Sequence, residues 1–136
     1  MFPTRRPAIG ICAAVIFCAA VCVEATIPAA PQESGAVVVK MTPERKFMPE
    51  KITIKAGQTV EWVNDDKTMP HEITTDENIA TDPSNVSMPE GAAPFDSHLI
   101  TSGKSFRHQF TVPGPYRYAC PPHENEGMLG AVTVTK

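Results

Sequence analysis

Sustained helical periodicity is missing from this 136-residue chain, and so are internal repeats, an excess of positive charge and a cysteine framework. The first absence removes helical bundles and coiled coils from consideration. The second removes solenoids and propellers. Twelve basic side chains stand against fifteen acidic ones, a net charge of −3. That balance argues against nucleic acid or an anionic membrane as partner and permits a basic protein. Three of the four cysteines, Cys12, Cys18 and Cys22, fall in a single apolar run near the N-terminus, which leaves Cys120 alone in the rest of the chain. One thiol cannot build a disulfide scaffold.

The apolar run extends from about Ala8 to Val23, is preceded by Arg5 and Arg6, and ends at Val23-Glu24-Ala25. That order of charge, apolar segment and small-residue cleavage site is the anatomy of a secretory signal, expected over residues 1–25. The run is short of the roughly 20 residues a spanning helix needs. An uncleaved anchor is the alternative, and no stable membrane insertion is expected after cleavage. Val21 before Cys22 disfavours a lipoprotein signal, and the surroundings of Arg5-Arg6 give little support to twin-arginine export. Without residues 1–25 the chain keeps 10 basic and 14 acidic side chains.

Residues 26–36, TIPAAPQESGA, read as a flexible lead-in. Residues 37–136 then form the expected domain, about the size of a β-sandwich. AVVVKM (36–41), KITIK (51–55), QTVEWV (58–63), HEITT (71–75), KSFRHQF (104–110), PYRYA (115–119) and GAVTV (130–134) alternate or run apolar, and Gly, Pro, Asn or Asp close them. Short β-branched runs with turn residues between them predict an all-β sandwich or barrel. The segment 74–98 breaks this rhythm, being long, acidic and rich in Pro, Asn and Ser, and connections of that length tend to be functional or mobile. Residues 61–96 carry nine acidic side chains against Lys67, either a solvated loop or a docking surface. Asn85-Val86-Ser87 is a glycosylation sequon, informative only in a host that modifies secreted chains.

The chemistry concentrates in YRYACPPHENEGMLGAVTVTK, residues 116–136, where Cys120, His123 and Met128 are spaced C-x2-H-x4-M. Thiolate and thioether favour copper(I), and imidazole accepts either copper oxidation state. A His2Cys plane with a weak axial Met is the donor set of a blue-copper electron-transfer site. One imidazole is lacking from the loop, and His71, His98 and His108 can supply it. His71 is favoured because it follows Pro70 where a loop enters the sandwich. His108 lies mid-strand between Phe106 and Phe110 and reads as a packing residue. His98, near the end of the long loop, reads as exposed.

With those residues in view, the chain resembles the plastocyanin, amicyanin and pseudoazurin group of cupredoxins over residues 37–136. TVEWVNDDKTMPHEIT is similar to the strand and loop that lead to the group's first histidine ligand. FDSHLITSGKSFRHQFTVPGPYRYACPPHENEGMLGAVTV is similar to its C-terminal half. The resemblance implies a Greek-key β-sandwich, eight-stranded or similar, that holds one type 1 copper ion through His71, Cys120, His123 and Met128. Four departures stand out. Glu72 replaces the usual Asn after the first histidine, and Pro121 replaces the Ser or Thr after the cysteine, so the side-chain brace between those positions is lost. Ala119 stands where plant plastocyanins have Tyr, and His98 where relatives commonly have Gly.

The resemblance further implies a monomeric one-electron carrier that cycles Cu(I)/Cu(II) in the periplasm between redox proteins, a c-type cytochrome among the candidates, and that is not an enzyme. The edge of His123 is expected at the surface as the electron's exit, within an apolar rim of Met69, Pro70 and Pro122. The alternative is a non-redox copper delivery or storage module, although Met41, Met48, Met69 and Met88 are scattered rather than clustered. A cysteine hydrolase is disfavoured because thiol and imidazole share one short loop. A larger copper enzyme would need further histidines, and a binuclear site a second cysteine. Zinc in the same site would be colourless and redox-silent.

Overall fold

The computed structural model describes residues 35–136, and the expected signal at 1–25 and most of the lead-in at 26–36 lie outside them. Seven strands form two sheets. The first sheet has the order β2 (Phe47–Met48), β1 (Val37–Met41), β4 (Thr59–Asn64), β5 (Ser105–Gln109). The second has the order β3 (Lys51–Lys55), β7 (Leu129–Thr135), β6 (Gly114–Ala119). The expected all-β sandwich is therefore present. Both sheets are mixed: β1 runs parallel to β4 and β3 parallel to β7, while β4–β5 and β6–β7 are antiparallel. Among the described residues no helix is long and apolar enough to cross a membrane.

Alternation along the strands decides which side chains meet between the sheets. In β4, Val60, Trp62 and Asn64 are buried, whereas Thr59, Glu61 and Val63 keep partial exposure. Trp62 of the first sheet meets Tyr118 of the second edge-on, with ring centroids 5.4 Å apart, and Phe95, Phe106 and Phe110 surround it at 6.0–6.2 Å. Gly130 lies opposite Tyr118 in the β6–β7 register, and a Cβ there would collide with the tyrosine ring. The glycine in β7 thus makes room for a tyrosine ring of β6, a close approach that outweighs the usual weakness of glycine in a strand.

One expectation is corrected. HEITT does not form a continuous strand: only His71 and Thr74 make isolated bridges, to Ile100 and to both Asp96 and Ala119. Ile73, Thr74 and Thr75 are all buried, so the segment has no free face, and it touches strand only at the end of β6, through Ala119, with loop residues Asp96 and Ile100 as its other partners. The two-residue β2 was not expected, being too short to show a period. Phe106 and His108 do share a face, and His108 stacks on Phe95 at 4.0 Å, so it is a packing residue whose burial lowers its pKa. His98 is exposed and its φ is 54°, the left-handed region that favours glycine, which gives a backbone reason for glycine at that position in relatives.

Candidate metal centre

The end of β4 begins the site. Asn64 is 1% exposed, and its side-chain amide donates to the carbonyls of Met69 and Ile100, at 3.0 and 2.8 Å. Its Oδ1 accepts from the backbone N–H of Asp66. One oxygen of Asp66, Oδ1, in turn accepts from Thr68 N, Thr68 Oγ1 and Met69 N, at 2.8, 2.7 and 3.2 Å. These short-range bonds of an Asx-type turn fix the path from Asn64 to Pro70. The chain then delivers His71, held by reciprocal bonds to Ile100 (His71 N–H to Ile100 O, Ile100 N–H to His71 O). Three residues on, Thr74 exchanges the same pair of bonds with Ala119, the residue before Cys120. That second bridge brings the loop of His71 against the end of β6.

Cys120 opens the second loop. Its backbone N–H donates to Met128 O, and Met128 N–H donates to His123 O, so the C-x2-H-x4-M segment closes on itself around a 3-10 turn at Pro121–Glu126. Gly127 ends that turn at φ 77°, the left-handed conformation in which glycine is favoured. The Cys120 sulfur makes no capping bond to the turn. It faces inward instead and accepts the Glu72 backbone N–H at 3.4 Å.

Three donor atoms converge there. His71 Nδ1 and His123 Nδ1 are 3.2 Å apart, and Cys120 Sγ is 3.9 Å from the first and 3.5 Å from the second. The residues are buried, with exposures of 0% for His71 and Cys120 and 4% for His123, so of the two histidines His123 lies nearer the surface. Met128 is fully buried at the close of the same loop. Metal bonds of about 2.0–2.3 Å opened to about 110° put neighbouring donors ~3.3–3.8 Å apart. The observed spacing suits a single shared cation, and one sulfur with two imidazole nitrogens is a donor set that copper accepts. His98 and His108 are not part of this cluster.

Burial governs the protonation states. It lowers the pKa of His71 against the opposing pull of Asp66, and it lowers that of His123 with help from His71. Burial likewise pushes the Cys120 thiol up to about 11. Asp66 goes the other way, down to about 2, first because the Thr68 hydroxyl and backbone donate to it. The free protein at neutral pH therefore presents a thiol and two neutral imidazoles. Burial raises Glu72, beside His71, to about 7, and Asp96 adds to that shift.

Two contacts hold the loops around the site where the Asn and Ser/Thr side chains are absent. The Glu72 backbone reaches the cysteine sulfur, as above. Glu124, 4% exposed, accepts from Thr81 N, Asp82 N and Asn85 Nδ2 at 2.7, 2.9 and 2.8 Å, tying the long acidic segment to the ligand loop. On the other side Arg45 pairs with Glu126, and Lys46 donates to Gly127 O. Sequence reasoning missed Asp66 and Glu124 as site residues. The Asp66-Lys67-Thr68 pattern of an Asx turn was the available signal for the first, and Glu124 had none.

The family described as copper binding proteins, plastocyanin/azurin family, matches residues 35–135. The plastocyanin of Scenedesmus fuscus is 37% identical over 102 residues, 75% of this chain and 91% of that protein. The plastocyanin of Nostoc punctiforme is 38% identical over 95 residues, 65% of this chain and 63% of its own length. The chloroplastic plastocyanin of Chlamydomonas reinhardtii is 37% identical over 89 residues, and this chain spans 58% of it. Among solved structures, an oxidized amicyanin carrying a methionine-to-leucine substitution is 27% identical with a TM-score of 0.58, covering 74% of this chain and 83% of the amicyanin. A cluster of His71, Cys120 and His123 suited to copper, in a two-sheet sandwich matched over nearly every described residue, points one way: the chain belongs to the plastocyanin/azurin family of copper binding proteins.

Proposed function

We propose that this protein is a periplasmic one-electron carrier whose type 1 copper is held by His71, Cys120, His123 and Met128. The observation that carries the reading is the convergence of one sulfur and two imidazole nitrogens within 3.2–3.9 Å of one another. Copper bound there would supply a Cu(I)/Cu(II) couple. It is an electron carrier and not an enzyme, so the residues bind, orient and exclude water. Cys120 would supply a thiolate, His71 and His123 imidazole nitrogens, and Met128 a thioether. Burial of all four holds them in a dry site, and the bonds among Cys120, His123 and Met128 limit how far the donors move when the charge on the ion changes.

Redox partners would meet the protein where His123 reaches solvent. Met69 and Leu99 are exposed apolar side chains, at 38% and 58%. With Pro70 and Pro122 they suit the small, weak interfaces of electron-transfer encounters. The exposed acidic side chains of 74–98 would steer a basic partner such as a c-type cytochrome to a monomer. The signal-like residues 1–25 support export.

Titrating the purified protein with copper(II) tests the reading. An intense blue absorption with a narrow copper hyperfine splitting, at one ion per chain, is expected, and a weakly coloured copper(II) form would sink it. Loading also has a pH signature. The thiol of Cys120 is protonated at pH 7 and both imidazoles are neutral, so uptake of copper expels about one proton. The apparent affinity then rises with pH, by roughly tenfold per unit from pH 7 to 9. Calorimetric titration in buffers of different ionisation enthalpy reads the proton directly.

A further inference from the structure

Asp66 is one of the nine acidic residues that give 61–96 its charge, yet it is 1% exposed and faces inward. Its Oδ1 takes all three donors of the Thr68–Met69 turn. Its Oδ2 lies 3.3 Å from Nε2 of His71. A carboxylate with that many donors on one oxygen stays ionised, and its second oxygen can only accept. The Nε2 of His71 must therefore carry the ring proton, which leaves the Nδ1 lone pair pointing at Cys120 and His123. The arrangement is a carboxylate behind a candidate ligand imidazole, an outer contact that fixes tautomer and ring orientation and makes the ligand a better donor. Arg45, whose charge also acts on His71, is paired at the surface with Glu126.

We propose that Asp66 is a positioning residue of the metal centre, which locks His71 as the Nε2–H tautomer and, through its buried negative charge, favours copper(II) over copper(I). The inference rests on the type 1 reading of the site. A fixed anion stabilises the more highly charged ion of the pair, so this protein holds a lower reduction potential than the same site would with a neutral group behind His71.

The test uses the full copper-loaded protein, Asp66→Asn and Thr68→Val. Asp66→Asn keeps an oxygen for the Thr68 and Met69 donors but sets a neutral amide against His71. It is expected to stay blue while the preference for copper(II) over copper(I) falls about tenfold, read as a rise in potential of about 59 mV. Thr68→Val removes one donor from the turn and leaves the charge in place, so its potential should not rise. A blue Asp66→Asn protein with an unmoved potential overturns the proposal, as does a Thr68→Val protein whose potential rises equally. If Asp66→Asn does not fold, nitrogen-15 spectra of the full metal-free chain decide, since copper on Nδ1 would by itself force the proton onto Nε2: a slowly exchanging Nε2–H on His71 supports the proposal, and an Nδ1–H tautomer overturns it. A wild type that is not blue fails the type 1 reading itself and is distinguishable from all of these.

Discussion

Cys120→Ser is expected to erase the intense blue absorption of the copper(II) form while the fold persists. The colour of such a site comes from electron transfer out of the thiolate into copper(II), and no other side chain in the cluster can supply it. The substitution is gentle on the scaffold. Cys120 sits at the start of the Pro121–Glu126 turn in an extended conformation and makes no capping bond, and serine is among the residues best tolerated at such a position. Its backbone bonds to Met128 and from His123 are unaffected. Circular dichroism should then match the parent while the visible spectrum does not, and copper(I) should bind more weakly because oxygen is the harder donor. A serine variant that kept the full blue band would remove Cys120 from the ligand set and with it the proposed site.

How much of this was legible depended on whether the signal was local. Strand positions followed from alternation or short apolar runs within β1, β3, β4, β5, β6 and β7, and the Cys120–Met128 loop from a spacing contained in nine residues. His71 was reachable because Pro70 and the turn-rich stretch before it mark a loop at a sheet end. Its proximity to Cys120 depended on Thr74 bridging Ala119, a pairing across a span with no pattern of its own. Charge was the least legible property. In sequence Asp66 and Glu124 look like their acidic neighbours, and only the fold withdraws them from water and surrounds them with donors. The departures at Glu72 and Pro121 announced the loss of a brace, but not the contacts of Glu124 with Thr81, Asp82 and Asn85 beside it.

Glu124→Ala should cost about 3 kcal/mol of stability in the metal-free protein. The carboxylate accepts from Thr81 N, Asp82 N and Asn85 Nδ2, each at 2.7–2.9 Å. Hydrogen bonds to a charged group contribute about 1.5–3 kcal/mol apiece. The total falls short of the sum because Thr81 and Asp82 are exposed and water can reach their N–H groups once the carboxylate is gone. For a domain near 100 residues that loss lowers the Tm by roughly 10–20 °C. Glu124→Gln keeps one oxygen acceptor and should recover part of it, which separates the lost bonds from a simple loss of volume. The remaining tie to the Cys120–Met128 loop, Thr81 Oγ1 to Pro121 O at 3.1 Å, is a single neutral bond, and the segment's next anchor is the reciprocal pair of backbone bonds between Ser87 and Arg117 of β6. Hydrogen exchange should therefore speed up first over 79–87 and in the loop that carries His123, ahead of the sheets. The same contacts make Asn85 a poor glycan acceptor, since its amide nitrogen already donates to Glu124. A denaturation midpoint unchanged by Glu124→Ala would mean that the acidic segment is carried by the sandwich core, through Phe95 and Val86, and owes nothing to the ligand loop.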